Sequence, residues 1–297
     1  MSIQKNSLHA WLLATRPKTL TAALTPVVTA SALAFSHGTF RWKPALLCIL
    51  FATFMQIAAN FINDLYDFLR GTDGADRLGP ERACAKGWIS PSAMKAGILA
   101  VLLPAGAAGI SLLAYGGSGL WFIGIACVAF AFLYTVLLSY CGLGDILVWV
   151  FFGFIPVCGT YYVQAGTLPA EVWWLGAACG LCIDTLLVLN NYRDRETDAT
   201  AGKRTLIVVL GEPFGRWFYL LQGAAAYVCV AMTALQGHTW AAIFPLFYLL
   251  PHYLTWRKMA AIFRGRELNK VLGFTSRNML TFALLIVLAY LADIWGA

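Results

Sequence analysis

Long apolar runs separated by short polar breaks fill the chain from residue 18 to residue 295. Nine of them come near the roughly 20 residues that a helix needs to cross a bilayer core. They cover 18–37, 43–65, 95–115, 118–139, 145–165, 171–191, 213–235, 239–256 and 277–295. The expected fold is all-α: a polytopic membrane bundle of nine transmembrane helices, forming one domain over 1–297. Ahead of the first run, Leu8, Trp11, Leu12 and Leu13 predict a short interfacial helix. The first twenty residues lack an apolar core followed by a small-residue cleavage site, so no cleaved signal peptide is expected.

Composition agrees with the runs. The chain is 60% hydrophobic and 12% charged, about half the charge of a soluble domain. Most of its eight cysteines lie inside apolar runs, where cysteine behaves as a small hydrophobe. Cys179-Gly-Leu-Cys182 has CxxC spacing but sits mid-span without partner ligands, so neither metal nor redox chemistry is expected there.

Charge placement then orients the spans. The breaks after the third, fifth and seventh runs are short and nearly uncharged, whereas 66–94, 192–212 and 257–276 are longer and charged. With nine spans and the N-terminus inside, all but Arg41 and Lys43 of the 21 basic residues fall on the cytoplasmic face. An even number of spans breaks that asymmetry. The net charge of +7 is thus a matter of topology, and no nucleic-acid partner is implied.

Two acidic clusters sit at the cytoplasmic ends of runs two and six: Asn60-Phe-Ile-Asn63-Asp64-Leu-Tyr-Asp67 and Asn190-Asn191-Tyr-Arg193-Asp194-Arg-Glu-Thr-Asp198. They start 130 residues apart, four spans later in each case. This suggests two four-helix pseudo-repeats, 18–139 and 145–256, with the ninth helix 277–295 added. At about 100° per residue, Asn60, Asp64 and Asp67 fall within roughly 60° of a helix circumference, and Asn190, Asp194 and Asp198 within about 80°. An amide and two carboxylates on one face suit magnesium, which takes few protein oxygens and shares its coordination with phosphates. Neither cluster cages an ion alone, so a diphosphate held through two magnesium ions is the expected ligand. The plain alternative is a pair of solvated helix ends, but ionisable groups at a membrane are functional candidates by default.

Both clusters run into Gly-rich basic loops, carrying Arg77 and Arg82 in one and Lys203 and Arg204 in the other. Such cations can complete an anion site, though topology and lipid head groups alone also produce basic loops. Asp73 can join the site only if Gly71 ends the helix first. Arg16-Pro17-Lys18-Thr19 opens the first span, either contacting the ligand or anchoring topology. Tyr134, Asp145, Tyr161, Tyr162 and Gln164 are candidate cavity residues. For Asp184, about 15 Å deeper than Asp194 along a helix, a catalytic and a structural role stay open.

NDLYDFLRGTDGADRLGPERACAKG and NNYRDRETDATAGKRTLIVVLG resemble the two signatures of the UbiA-type intramembrane prenyltransferases. AWLLATRPKTLTAALTPVVTASALA and GLGDILVWVFFGFIPVCGTYYVQAG resemble the opening and fifth span of the branch that prenylates 1,4-dihydroxy-2-naphthoate in menaquinone biosynthesis. Where many members have a longer polar segment before Gly142, this chain has Val136-Leu137-Leu138-Ser139-Tyr140-Cys141. The resemblance implies a helical bundle around a lipid-open central cavity in a bacterial inner membrane. It implies Asp64, Asp67, Asp194 and Asp198 as catalytic carboxylates binding diphosphate through magnesium, with Asn60, Asn190 and Asp73 as further metal ligands. Asn63, Arg77, Arg82, Asn191, Arg193, Lys203, Arg204, Lys18 and Tyr134 are the remaining candidate substrate contacts. The implied partners are a polyprenyl diphosphate and dihydroxynaphthoate, besides the bilayer; the oligomeric state stays open.

Other readings remain. A sister enzyme acting on 4-hydroxybenzoate, homogentisate or a porphyrin would share the diphosphate site. A CDP-alcohol phosphotransferase needs a contiguous DGxxAR…GxxxDxxxD pattern, which is missing. A cation-coupled transporter places acids inside spans, whereas these cluster at one face beside Arg and Lys.

Overall fold

The computed structural model describes residues 3–71, 77–136 and 142–295. Among these residues every regular element is helical. A short helix, α1 (Leu8–Ala14), lies ahead of α2 (Pro17–Ser36), α3 (Trp42–Leu69), α4 (Pro91–Gly116) and α5 (Leu120–Val136). The next span joins α6 (Gly144–Val148), a π-helical turn (Trp149–Phe154) and α7 (Ile155–Ala165). Then come α8 (Ala170–Thr200), the short α9 (Leu206–Leu210), and α10 (Glu212–Ala231) with its 3₁₀ extension Met232–Gln236. The last rods are α11 (Trp240–Ile243), a 3₁₀ segment (Phe244–Tyr248) and α12 (Leu249–Ile262), followed by α13 (Leu268–Trp295).

Seven of these rods are long and apolar enough to cross a membrane by themselves. The two that fall short match the expected runs 118–139 and 239–256. The first is described only to residue 136, and 137–141 lie outside the described residues. In the second, Pro245 and Pro251 break the rod into α, 3₁₀ and α pieces, because each proline removes a backbone donor. The expected interfacial helix is α1: Leu8 is 76% exposed, while Trp11 turns inward onto Phe61.

The spans pack in two groups. α1, α3, α4 and α5 bury Phe61, Ile62, Leu65, Ile89 and Met94 together. α2, α7, α8, α10 and α13 enclose a larger core with Tyr161, Tyr248, Phe282 and Tyr290. α2 joins the groups, since it packs on α3 as well as on α7 and α13. Large apolar side chains such as Phe122 (79% exposed) and Phe247 (67%) face outward, as suits lipid.

The π-helical turn lies at a close contact with α8. Gly153 stands where a Cβ would come within 2.6 Å of the Gly176 carbonyl, and one on Gly180 within 2.9 Å of Trp149 Cα. The glycines of Gly176-Ala-Ala-Cys-Gly180 thus let two backbones touch, a means of helix association common in membranes. The wider turn, of a kind often found at functional sites, directs both Phe151 and Phe152 into a cavity.

α8 does not stop at the membrane surface. Its 31 residues span about 46 Å, well beyond a hydrocarbon core of about 30 Å. Its acidic segment therefore rides on continuous helix. α3 likewise runs through Asp67 and ends at Leu69, and Gly71 then adopts φ +71°, the helix break that Asp73 required. Asp73 itself lies outside the described residues.

Candidate active site at the mouth of an apolar cavity

A cavity of about 760 Å³, not sealed from the outside, lies among α2, α3, α4, α5, α7 and α8. Its wall is almost wholly apolar and includes Phe130 and Phe151, stacked face to face at 3.9 Å. Its polar residues include Arg16, Thr19, Gln56, Asn60, Asn63, Tyr134 and Asn190. Both acidic helix ends therefore supply residues to one cavity.

On α3, Asn60 is held by the chain before it: Nδ2 donates to the Thr15 carbonyl at 2.9 Å and to Thr19 Oγ1 at 3.0 Å. Asn63 accepts from Arg16 Nη1 at 3.3 Å. Arg16 has φ +49°, a left-handed backbone that costs a non-glycine residue about 1–2 kcal/mol. Pro17 disfavours the ordinary helical alternative at this corner. The strain sets Arg16 at the cavity.

The carboxylates of α3 are committed. Asp64, 1% exposed, accepts the Ala83 and Cys84 backbone N–H groups, both at 2.9 Å, one on each oxygen. It thereby fastens the loop between α3 and α4, and it is not among the residues lining the cavity. Asp67 accepts from Arg82 at 2.9 Å.

On α8, Asn190 lines the cavity, and its Nδ2 donates to the Leu186 carbonyl at 3.0 Å. Asp194 receives both Nε and Nη2 of Arg193, at 2.8 and 2.5 Å. The same guanidinium donates through Nη1 to Asn269 Oδ1 at 2.9 Å, and Asn269 Nδ2 donates to the Leu78 carbonyl at 2.8 Å. Arg193 is 3% exposed, so it braces α8, α13 and the 77–82 loop together. Asp198 pairs with Lys203 at 3.4 Å. Arg77 donates to the Pro80 carbonyl at 3.1 Å, and its own carbonyl accepts from Arg266 at 3.3 Å. Asn191 is half-buried away from the cavity lining, while Lys18 and Arg204 are exposed.

Arg16 and Thr19, from the Arg16-Pro17-Lys18-Thr19 stretch, line the cavity together with Gln56, which no motif marks. Gln56 lies one helical turn before Asn60 and donates to its Oδ1 at 3.4 Å, a spacing that marks the same face. Deeper in the protein, Asp184 is fully buried and accepts from Trp149 Nε1 at 3.1 Å and from Gln222. It thus ties α8 to the π-helical turn and to α10, while its Oδ1 has no hydrogen-bond partner. Cys179 and Cys182 meet the Thr29 and Tyr248 hydroxyls on other helices, as packing residues do.

The fold and site define a polytopic helical membrane protein with an apolar cavity. Amides from both acidic helix ends and Arg16 line it. Asp64, Asp67, Asp194 and Asp198 are not among the lining residues and follow those amides within about two turns of the same helices. The arrangement fits a ligand with an anionic head and an apolar tail. The chain belongs to the UbiA prenyltransferase family, whose model matches residues 23–277. It is 34% identical to the 1,4-dihydroxy-2-naphthoate octaprenyltransferase of Escherichia coli (strain K12), covering 97% of each chain. It is 36% identical to the protein of the same name from Mycobacterium tuberculosis, covering 94% of this chain and 96% of that one. A UbiA homolog from Aeropyrum pernix K1, solved in its apo form, superposes with a TM-score of 0.71 at 18% identity. That match covers 92% of this chain and 98% of the other. A homolog from Archaeoglobus fulgidus bound to GPP and Mg²⁺ superposes at 0.68 with 16% identity, covering 96% and 99%.

Proposed function

We propose that this chain transfers a polyprenyl group from a polyprenyl diphosphate to 1,4-dihydroxy-2-naphthoate. Carbon dioxide and diphosphate are released, and the product is demethylmenaquinol, the hydroquinone form of demethylmenaquinone. The observation that carries the reading is the meeting of both acidic helix ends at one apolar cavity. The similarity to naphthoate prenyltransferases along almost the whole chain supports the choice of acceptor.

The donor set fits magnesium: hard oxygens from two helices, too few on either to close a cage. Asp67, Asp194 and Asp198 would hold two ions, with Asn63, Asn190 and Asp73 as further oxygen donors. Bound magnesium supplies positive charge against the departing diphosphate. Each of the three described carboxylates already has a cation within 3.4 Å, in Arg82, Arg193 and Lys203. Arg82 and Lys203 would meet phosphate oxygens, whereas Arg193 would act as a brace. Asp64 and Asn60 position the loops around the diphosphate.

The apolar cavity takes the prenyl tail and keeps water from the allylic carbon. The C–O bond breaks with its electron pair leaving on diphosphate, and the aromatic wall around Phe130, Phe151 and Tyr134 stabilises the cation left behind. The electron-rich ring carbon bearing the carboxylate forms the new C–C bond. Loss of carbon dioxide returns an electron pair to the ring. The proposed setting is a bacterial inner membrane with the N-terminus and the acidic helix ends cytoplasmic.

The test is to incubate membranes containing the chain with magnesium, a labelled polyprenyl diphosphate and a panel of aromatic acids. A labelled lipid whose mass equals prenyl plus naphthoate less carbon dioxide is expected. Label appearing only on 4-hydroxybenzoate or homogentisate would contradict the acceptor, while transfer to none of them would contradict the reaction.

A further inference from the structure

At the end of the bundle opposite the acidic mouth, four segments distant in sequence bring metal-ligand side chains together. α2 begins beside the mouth at Arg16 and ends, about 30 Å further on, at His37. Glu171 stands in the first turn of α8, His238 in the turn before α11, and Asp293 in the last turn of α13. His37 Nε2 lies 3.1 Å from His238 Nε2 and 3.4 Å from Glu171 Oε1. All three ligand atoms fall within 4.8 Å of one another.

Two of these separations match a tetrahedral ion, and the third, between His238 and Glu171, is within 4.8 Å. Zinc about 2.0–2.1 Å from each ligand sets neighbouring ligand atoms about 3.3 Å apart. The outer nitrogens are organised as well: His37 Nδ1 meets the Tyr161 hydroxyl at 2.5 Å, and His238 Nδ1 meets Asp293 Oδ2 at 3.3 Å. With Nδ1–H donated outward on both rings, each Nε2 presents a lone pair inward, the arrangement that metal-bound histidines share. Two nitrogen lone pairs and a carboxylate oxygen then face one point, where a cation relieves their repulsion. Among the described residues, no lysine or arginine pairs with Glu171 or Asp293.

We propose that His37, His238 and Glu171 bind a late first-row divalent cation, zinc foremost, with a fourth position left to water. Imidazole nitrogens select that class over magnesium, so the site differs in chemistry from the mouth. Bound metal ties the end of α2 to the starts of α8 and α11, while Asp293 orients His238 from α13.

The experiment uses the full chain in detergent, stripped with chelator and titrated with Co²⁺ as a visible probe. One equivalent with low-coordinate absorption bands, displaced by Zn²⁺, is expected. It should persist in Asp67→Asn and Asp198→Asn, fall at least about 100-fold in affinity in His37→Ala and His238→Ala, and weaken about 10–100-fold in Asp293→Asn. A histidine variant that fails to fold leaves X-ray absorption on the parent protein as the deciding measurement, with two imidazole nitrogens per bound ion expected. A titration unchanged by His238→Ala, or a parent ion without imidazole ligands, overturns the proposal. So does a folded parent that binds no Co²⁺, since His37 and His238 then form only a hydrogen-bonded pair.

Discussion

At the end of α3, Asp64 is sealed against the Ala83 and Cys84 amides; at the end of α8, the Asp194 side chain keeps 24% of its surface open beside Arg193. The two acidic segments look alike in sequence, each an amide with spaced carboxylates on one helix face. Their partners differ because the chain leaves the two helices differently. After α3 the chain doubles back as a loop whose amides Asp64 collects, so a carboxylate goes to building. α8 continues to Thr200, and its carboxylates meet side chains, Arg193 and Lys203, rather than backbone. Side-chain pairs exchange partners at less cost than buried amides do. In the proposed site the first cluster anchors the loop, and the second would offer charge to the diphosphate.

The contrast breaks most sharply at Asp198. Asp198→Asn should cut kcat for prenyl transfer by about 10²–10³-fold, since it removes charge meant for the transition state. Its melting temperature should hardly move, because the desolvation cost of a largely buried pair such as Asp198–Lys203 offsets much of its Coulombic gain. A variant with full activity would remove Asp198 from the site. Asp64→Asn should show the reverse order. The two N–H groups bind different oxygens, and Asn turns an NH2 toward one of them, so the orphaned donor costs about 1–3 kcal/mol. Thermal unfolding and proteolysis within 77–87 should reveal that loss, and an unchanged melt would mean that Asp64 is not the loop's fastener. The smallest effect is expected at Asn269, which joins Arg193 to Leu78. Asn269→Ala should raise KM for the diphosphate severalfold with kcat nearly intact; a fall in kcat alone would place Asn269 in the chemistry instead.

Much of this was legible in the residues. Apolar run length located the spans, and basic asymmetry put both acidic clusters at one end. Where prediction fell short, tertiary packing was the reason. The eighth run is broken by Pro245 and Pro251, and the π-helical turn at Trp149–Phe154 lies against Gly176 and Gly180 from another helix. Helical periodicity placed Asp64 on the same face as Asn60 and Asp67. It said nothing of the loop that returns to claim Asp64. Gln56 was hidden among apolar neighbours, and its role appears only through its hydrogen bonds to Asn60 and Thr19. The grouping of His37, Glu171 and His238 draws on three turns far apart in the chain, so no local pattern announces it.

Both helix ends are proposed to hold one diphosphate through magnesium. A double-mutant cycle on Asp67→Asn and Asp198→Asn tests this proposal directly, with magnesium-dependent binding of a non-reacting prenyl thiodiphosphate measured in each protein. Residues acting through one bound group are non-additive. The double variant should bind no more than a few-fold more weakly than the worse single one, and no protein should bind without magnesium. Losses that multiply independently, or binding that survives without magnesium, would contradict the proposal.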